Sequence, residues 1–541
     1  MEKQDELELL RQFVSDPHGS VFIVNPTALP GMIGAIFARY SRAKGGFREI
    51  LLNEFIKEGI IDARRADELI QRVLIQFGDD SVQELEGAWL SIEDISNLAT
   101  KIIEDRRLGS YIEQSSRYVF YDQRDANGDF RYLREPSIMG SRHAAQYIST
   151  MDFIFGTYCR LIDPMQAYFR RRKPLESAEY EIRTGRGRIR YSQCSAEEER
   201  KDFHRTWGTD IRTKTCDTLR MLLPVATRTN LGVHANGRTF EHMLRHLYSS
   251  DLPEMTELAC NMHEALRNAI PRYVQRAQRS EYLIRTRRAM QQLTDSLTRR
   301  ITATPAPTES VHILPGGHSE SGQLAFMLFP FSECAFASLH SLVEGLSPEE
   351  RRLILQTYIG ERKTRRDRPG RALEFGYPWQ CELVLDFGMY RDLHRHRMLT
   401  QERQLISTRL GFTDIPPEIK EAGYHDDIRA CIDASTDLYE TIRTDLGRDV
   451  AQYAALFGFN IRCFFGFNDR EAQHLLELRT APQGHRSYRL ICQEIFRQML
   501  KAAPDRARAI CRFIDMNDYD WPRADSEARQ RADEAGLTPS G

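Results

Sequence analysis

Apolar residues recur along the chain at helical and strand spacing, in two successive cycles. In the first cycle, residues 20–26 (SVFIVNP) are rich in β-branched side chains and end in a turn, which predicts a strand. Residues 94–107 carry apolar side chains at intervals of three and four, which predicts an amphipathic helix. Residues 178–194 alternate around Gly185 and Gly187, which predicts a β-hairpin.

The second cycle begins after residues 301–322, which are rich in Pro, Ser, Thr and Gly and predict a linker. The apolar runs 324–331 (LAFMLFPF) and 381–388 (CELVLDFG) predict strands. Ser347, followed by Pro and Glu, predicts the start of a helix. The polar residues 516–541 predict a flexible tail.

The two cycles share a motif, N-x-R-x-x-x-H-x-L, which begins at Asn236 and again at Asn468. Upstream of it, residues 105–107 (DRR) align with residues 395–397 (RHR). Chance similarity over two short motifs is the alternative, but the order and the chemistry of the motifs agree. The sequence therefore predicts a diverged tandem duplication.

The spacing of these motifs predicts an insertion in the first cycle. Arg107 and Arg238 lie 131 residues apart, whereas Arg397 and Arg470 lie 73 apart, so the first cycle carries about 58 extra residues. We expect an α+β fold of two homologous domains, each a mixed or antiparallel sheet packed with long helices. The predicted ranges are 1–300 for the first repeat with the insertion at about 120–200, 301–322 for the linker, 323–515 for the second repeat and 516–541 for the tail.

Composition narrows the class of protein and its partners. The 541 residues are 41% hydrophobic with a formal net charge of −2, which excludes a disordered chain and makes nucleic-acid binding an unlikely function. No apolar run approaches the roughly 20 residues that span a bilayer, and the charged N-terminus has no signal-peptide core. The ten cysteines form no CxxC pair, so we expect reduced thiols in a cytoplasmic protein without a zinc ribbon.

Three polar clusters are candidates for ligand binding. Residues 110–117 hold three serines, Glu113 and Arg117, which suit a nucleotide monophosphate, although a helix end before a polar strand has the same composition. Residues 394–397 (HRHR) fit an anionic cofactor such as a flavin dinucleotide or a solvated basic helix end. A metal site is less favoured there because the histidines are two residues apart with no further ligand nearby. The third cluster, around Arg220, fits a pocket wall or a buried helix.

Taken together, these motifs resemble those of the flavin-dependent thymidylate synthases. RHR, S-x-x-E-x-S-x-R-Y, R-x-x-L-P, N-x-R and a further arginine follow the family's order, and residues 38–41 (ARYS) resemble its early A-R-x-S segment. The family enzyme is a homotetramer whose sites lie between subunits and bind FAD, dUMP and a folate. The resemblance covers about 90–120, 215–250, 380–410 and 450–490, and the chain resembles two such subunits fused.

The resemblance implies a reaction and a role for each matching residue. The reaction methylates dUMP to dTMP, with methylenetetrahydrofolate as carbon donor, NADPH as reductant and FAD as cofactor, in a homodimer that mimics the tetramer. The implied dUMP-binding residues are Glu113, Ser115, Arg117, Arg220 and Arg479, of which Arg117 and Arg479 are also the implied catalytic residues. The implied FAD-binding residues are Ser41, Arg395, His396, Arg397, Asn468, Arg470 and His474, and no metal is implied.

Each cycle departs from the family pattern where the other cycle keeps it. The first cycle keeps loop 110–117 but has Asp105 at the first RHR position and Leu247 where the second dUMP-facing arginine belongs. The second cycle keeps RHR and Arg479, but its loop lacks the second serine and the Arg-Tyr pair, and Gln452 replaces the arginine of R-x-x-L-P. Complementary losses predict one hybrid site, built from both halves, and a reciprocal site that is dead.

Two other functions stay open. The substituted positions also fit a catalytically inert homologue that binds flavin or nucleotide. An RNA-binding protein that uses the arginine-rich segments 170–190 and 361–371 is a weaker alternative, because the chain lacks an excess of positive charge.

Overall fold

The structure is a computed structural model of the chain. It describes residues 3–40, 43–57, 60–61, 66, 68–69, 80–181, 188–301, 310–519 and 521. Helices pack with small antiparallel sheets, which confirms the predicted α+β class. Within these residues, no helix combines the length and the apolar character that crossing a membrane requires.

Twenty-one α-helices are described. Helices α1 to α11 span Lys3–Leu10, Ile33–Tyr40, Phe47–Ile50, Asn97–Ile103, Pro136–Met139, Ala144–Arg172, Glu197–Leu219, Gly237–Tyr248, Pro253–Ala269, Pro271–Val274 and Glu281–Thr298. Helices α12 to α21 span Glu320–Leu328, Phe336–Glu344, Pro348–Ile359, Phe387–Leu393, Pro417–Glu421, His425–Leu446, Arg448–Ala451, Asp469–Thr480, Arg486–Ala502 and Pro504–Ile510. Single 3-10 or π turns occur at Leu51–Phe55, Asp80–Leu85, Tyr191–Gln193, Arg220–Leu222, Phe329–Phe331, Arg371–Glu374 and Gln452–Ala454.

Eleven strands are described. Strands β1 to β11 span Ile56–Lys57, Ile60–Ile61, Gly87–Ser96, Ser110–Glu113, Glu179–Glu181, Arg188–Arg190, Arg228–Asn236, Val311–Leu314, Trp379–Asp386, Thr400–Arg403 and Asn460–Phe467. They form two hairpins, β1–β2 and β5–β6, a three-stranded sheet in the order β3–β7–β4, and a four-stranded sheet in the order β10–β11–β9–β8.

The chain forms two compact units that interleave in sequence. Unit 1 comprises Met1–Asp94, Ile102–Glu113 and Thr229–Ile284, and unit 2 comprises Ile95–Lys101, Gln114–Arg228 and Arg285–Gly541. The predicted repeat boundaries therefore stay a prediction. Residues 302–309 of the predicted linker, and residues 520 and 522–541 of the predicted tail, lie outside the described residues.

Unit 1 is built on the three-stranded sheet, with β7 in its centre. Strand β4 pairs with β7 in antiparallel register, with Ser110 opposite His234. At the end of β7, the side chain of Asn236 caps helix α8 by accepting a hydrogen bond from the N–H of Thr239 (2.9 Å). An asparagine at this position satisfies an N–H group that the helix itself cannot pair.

Unit 2 has its core on one face of the four-stranded sheet. Phe464 of β11 packs against Phe326 of α12, with ring centroids 4.5 Å apart, and against Phe336 of α13, 5.0 Å away. The prediction of a strand at 324–331 is wrong, because these residues belong to α12 and to the 3-10 turn that follows it. Ser319 caps α12 by accepting from the N–H of Gly322, and an apolar run without alternation suits a buried helix as well as a buried strand.

The second half repeats the elements of the first half in the same order. The series β3–α4–β4 and β7–α8–α9 recurs as β9–α15–β10 and β11–α19–α20, with β8 added beside β9. Asn468 caps α19 through the N–H of Glu471 (3.1 Å), as Asn236 caps α8. This order confirms the predicted diverged tandem repeat and places the two shared motifs on equivalent helices.

Within unit 2, equivalent segments of the two halves pair through their backbones. The N–H of Val225 donates to the carbonyl of Ala455, and the N–H of Phe457 donates to the carbonyl of Leu223, each at 2.8 Å. The two bonds are reciprocal, as they are across a two-fold axis between identical subunits.

Most of the local predictions hold. The predicted helix in 94–107 is α4, the predicted strand in 381–388 is β9, and Ser347 forms a capping box at the start of α14. The predicted hairpin is β5–β6, with its two glycines outside the described residues. The strand predicted at 20–26 is wrong: Val24 makes one isolated bridge with Val14, and the segment belongs to none of the strands in the described residues.

The region of the predicted insertion contains α5, α6, the β5–β6 hairpin and α7. The corresponding residues of the second half, 404–451, contain α16, α17 and α18 and no hairpin. The position of the insertion stays a prediction. The first residues of the predicted tail are held by contacts, since Asp518 pairs with Arg486 and Tyr519 lies against Arg489.

Asp386 caps helix α15 although it is almost sealed from solvent. Its carboxylate accepts a hydrogen bond from the N–H of Met389 (2.7 Å). Burial raises the pKa of this carboxyl to about 6, although the charge of Arg220 and the hydrogen bond oppose the shift. A raised folded-state pKa means that this group favours folding at low pH and loses that contribution as the pH rises through about 6.

We predict that Asp386→Asn removes this pH dependence while keeping the cap, because asparagine caps helices as well as aspartate does. The free energy of unfolding of the variant, minus that of the wild type, should rise by about 2 kcal/mol between roughly pH 4 and pH 7. Urea denaturation followed by circular dichroism across that range measures it. A difference that does not change with pH would contradict the raised pKa.

We also predict that Phe464→Ala lowers the free energy of unfolding by about 3–5 kcal/mol, because it opens a cavity among packed rings. Phe464 is 1% exposed. Phe513, 74% exposed in the same unit, is the matched control, and Phe513→Ala should change stability by no more than about 0.5 kcal/mol. Equal effects of the two substitutions, measured by chemical denaturation, would refute the assigned core.

Candidate functional site

Most residues predicted for the site lie in unit 2. They come from both halves of the sequence: Ser115, Arg117 and Arg220 from the first half, and Arg395, His396, Arg397, Asn468, Arg470, His474 and Arg479 from the second. Glu113 belongs to unit 1, and Ser41 lies outside the described residues.

The loop that carries Arg117 is fixed at two points. The N–H of Arg117 donates to the hydroxyl of Ser115 (3.2 Å), which forms a local turn. The hydroxyl of the next residue, Ser116, accepts a hydrogen bond from Arg391 of helix α15 (3.1 Å). The second contact joins the loop of the first half to the helix that precedes the RHR segment of the second half.

Arg117 forms a bidentate ion pair with Asp217 near the end of α7. Its Nε and Nη2 lie 2.8 and 2.9 Å from the two carboxylate oxygens, and its side chain is 10% exposed. Burial lowers the pKa of Arg117, but the charge of Asp217 outweighs it and holds that pKa above the usual range. Burial raises the pKa of Asp217, but the charge of Arg117 outweighs burial and holds that pKa below its usual value. Both groups therefore stay charged.

Arg220 starts the 3-10 turn after α7 and pairs with Asp392 of α15. Its Nη1 lies 3.2 Å from the Asp392 carboxylate. Burial raises the pKa of Asp392, but neighbouring arginines bring it well below its usual range. In decreasing order of effect, these are Arg220, Arg117, Arg395 and Arg479. One carboxylate therefore interacts electrostatically with four guanidinium groups, two from each half of the chain.

The ring of Tyr488 lies between two of these arginines. The guanidinium carbons of Arg117 and Arg479 lie 5.9 and 5.8 Å from its centroid. Burial and the nearby Asp392 raise the pKa of Tyr488. His485, three residues earlier, is half-buried. Desolvation, followed by the charge of Arg220, lowers its pKa to about 3, so it is neutral at physiological pH. Arg117 and Arg479, the two implied catalytic residues, thus share one neutral ring.

His396, in the centre of RHR, is buried and has a single tautomer. Its Nε2 accepts a hydrogen bond from Nε of Arg479 (2.8 Å), so its Nδ1 carries the proton and donates to Glu471 (2.8 Å). Burial lowers its pKa although Glu471 opposes the shift. Since Asn468 caps the same turn through the N–H of Glu471, these contacts connect RHR, the asparagine motif and Arg479.

The residues assigned to FAD suit a ligand that carries a diphosphate. Arg395, Arg397 and Arg470 have exposed side chains around the buried His396. Arginines bind phosphate oxygens with paired hydrogen bonds. His474 is exposed on the same helix, α19. These hydrogen-bond donors fit an anionic cofactor, because the three arginines are exposed to solvent while the neutral His396 is buried.

One group in the described part of the chain has the spacing of a metal site. Ligand atoms of His396, Glu471 and His474 lie within 4.8 Å of one another. His396, however, uses Nε2 to accept from Arg479 and Nδ1 to donate to Glu471, so neither nitrogen offers a lone pair. The adjacent guanidinium also repels a cation. The expectation of no metal stays a prediction.

A cavity of about 540 Å³ opens beside Arg117 in unit 2. Asp217 and His485 also line it, together with Trp521, which lies against Phe169 at the far end of the chain. Sites for small organic ligands have volumes of roughly 300–1,000 Å³. The space next to Arg117 is therefore large enough for a heterocyclic ligand.

Sequence reasoning missed the groups that hold the arginines in place. These are Asp217, Asp392, Glu471, His485 and Tyr488. A weak signal exists for the aspartates, because each lies three residues before a predicted arginine, in D-x-x-R at 217–220 and 392–395. That spacing places an acid one helical turn before an arginine but does not reveal that Asp217 pairs with Arg117 instead.

Comparison with known proteins agrees with this arrangement. A model of the family described as thymidylate synthase complementing protein (Thy1) matches residues 31–272 and 373–505. A UPF0159 protein of Chlamydia muridarum is 33% identical over 98% of both chains, and one of Chlamydia pneumoniae is 34% identical over 97% of both. A UPF0159 protein of Thermoplasma acidophilum is 30% identical over 93% of this chain and 99% of its own.

The two matched segments fall in the two halves and include both copies of the asparagine motif. The family match covers more than half of the chain, and relatives of similar length keep the whole arrangement. The chain therefore belongs to the family of thymidylate synthase complementing proteins, as a diverged tandem form of its domain.

Proposed function

We propose that the chain is a flavin-dependent thymidylate synthase, which methylates dUMP to dTMP at a hybrid site built from both repeats. The observation that carries this proposal is the convergence of Arg117 and Arg220 with Arg479 around Asp392 and Tyr488. Buried cations that face one another are costly unless an anion offsets them. A nucleotide phosphate is the anion that this arrangement suits.

In this proposal the three arginines bind dUMP and stabilise charge on it. Arg117, Arg220 and Arg479 hold the phosphate and the polarised pyrimidine, with Ser115 as a further polar contact. A fixed guanidinium beside the ring stabilises the negative charge that develops when hydride adds, because it needs no reorganisation at that moment. No cysteine nucleophile is needed, which fits the burial that raises the pKa of Cys381 and Cys492.

FAD, bound by the RHR and asparagine segments, supplies hydride chemistry, with NADPH as reductant and methylenetetrahydrofolate as carbon donor. The residues of unit 2 that hold it are Arg395, His396, Arg397, Asn468, Arg470 and His474. The neutral His396 fixes the side chain of Arg479 through a 2.8 Å hydrogen bond and thereby joins the cofactor segment to the dUMP-binding arginine. A cytoplasmic homodimer, whose four repeats mimic the four subunits of a tetramer, belongs to the same proposal.

An inert homologue that binds flavin or nucleotide is the second candidate. It is favoured by Gln452, which replaces an arginine and has a structural role instead. The Gln452 side chain accepts from the N–H of Ile406 (3.1 Å) and donates to the carbonyl of Asp449 (3.0 Å). A residue used in this way no longer serves a ligand, as expected of a homologue that has lost catalytic contacts.

An absorbance spectrum of the purified protein, with and without dUMP, tests both candidates. A flavin band that shifts on addition of dUMP supports a shared site. NADPH oxidation that depends on dUMP supports the enzyme, and its absence in a flavin-loaded protein that binds dUMP supports the inert homologue.

We predict that Arg117→Ala and Arg479→Ala each weaken dUMP binding by about tenfold to a hundredfold, since each removes a charge-assisted contact. The double variant should lose less than the product of the two, because both residues act on one ligand. Isothermal titration calorimetry measures all three affinities.

Arg106→Ala and His242→Ala, in the segments of the presumed dead site, are the controls and should leave dUMP affinity unchanged. Thermal unfolding checks that the variants fold. Independent, multiplicative effects of the two arginine substitutions would contradict a shared dUMP site.

A further inference from the structure

Two carboxylates among the site arginines are held differently. Asp217 makes two hydrogen bonds of 2.8 and 2.9 Å to Arg117, which is a tight bidentate pair. Asp392 makes one contact of 3.2 Å to Arg220. The first pair has two short hydrogen bonds, whereas the second is a single, longer contact.

The position of Asp392 in its helix is unfavourable in isolation. It lies in the last turn of α15, Phe387–Leu393, where the partial negative charge of the helix terminus disfavours an acid. The compensating interaction is electrostatic and comes from other elements: Arg220 after α7, Arg117 in its loop, and Arg479 of α19, in addition to Arg395. The carboxylate is therefore stabilised by the site and not by its own helix.

An anion that enters the cluster competes with Asp392 for the same guanidinium groups. Four guanidinium groups act on Asp392, and one of them, Arg117, also pairs with Asp217. A phosphate that enters the cluster must share these cations with Asp392, and two anions beside the same guanidinium groups repel each other.

We infer that Asp392 is the resident counter-anion of the nucleotide site, which holds Arg220 and its neighbours in place while the site is empty and yields them to the phosphate of the ligand. Asp392 is thus a positioning residue that stabilises the empty site and weakens anion binding. That the ligand is a nucleotide rests on the proposed function. That a phosphate replaces the Asp392 carboxylate beside the arginines does not depend on it.

Asp392→Asn tests this inference, because it removes the charge and keeps the shape. Inorganic phosphate and dUMP are titrated separately into the full-length wild type and variant at matched ionic strength. We expect both to bind the variant on the order of tenfold more tightly, since one like charge has left the cluster. A loss of structure alone weakens binding, so tighter binding is the opposite of a merely structural effect. Unchanged or weaker phosphate binding by the folded variant overturns the inference.

Glu440→Gln is the matched control, since Glu440 pairs with Arg409 in the same unit away from the cluster. It should leave phosphate affinity unchanged, and tightening equal to that of Asp392→Asn would overturn a local role of Asp392. If Asp392→Asn unfolds in the absence of anions, phosphate should restore its thermal unfolding temperature and chloride at equal ionic strength should not. Failure of phosphate to restore it also overturns the inference.

The proposed function can fail independently. If the wild type binds phosphate but not dUMP, the proposed thymidylate synthase function is contradicted. Tighter phosphate binding by Asp392→Asn would still support the role of Asp392 as a counter-anion. Wild type that oxidises NADPH in a dUMP-dependent way, with no tightening in the variant, refutes the counter-anion alone.

Discussion

Buried guanidinium groups need negative charge within reach, and unit 2 is organised around that requirement. Taking an arginine out of water costs several kcal/mol, which only a well-placed carboxylate or phosphate offsets. Arg117 with Asp217, and Arg220 with Asp392, meet this need with partners on other elements. Each pair therefore fixes the position of one element against another, so the placement of the loop, α7 and α15 depends on charge as well as on apolar packing.

The sequence predicts features that depend on neighbouring residues. The helix start at Ser347, the helix within 94–107 and the repeated motif are local patterns, and each one is confirmed in the structure. The carboxylate partners are not local, since 100 residues separate Arg117 from Asp217 and 172 separate Arg220 from Asp392.

Two strand predictions failed for a related reason. The apolar run 324–331 is a buried helix and turn packed against the rings around Phe464, and residues 20–26 make one isolated bridge instead of a strand. Burial and pairing are set by distant segments, so neither outcome is visible in the run itself. The resemblance to a family identified the arginines of the site, but their roles stay proposals until binding is measured.

The reciprocal backbone pair of Val225 with Ala455 and Phe457 with Leu223 has an evolutionary consequence. In a symmetric homodimer, every substitution at such an interface occurs twice, so both copies of a site change together. In a fused chain the two positions mutate separately, and one half can turn its arginine into Gln452, a packing residue, while the other half retains Arg220. Covalent linkage thus converts a symmetric interface into one whose two sides can specialise.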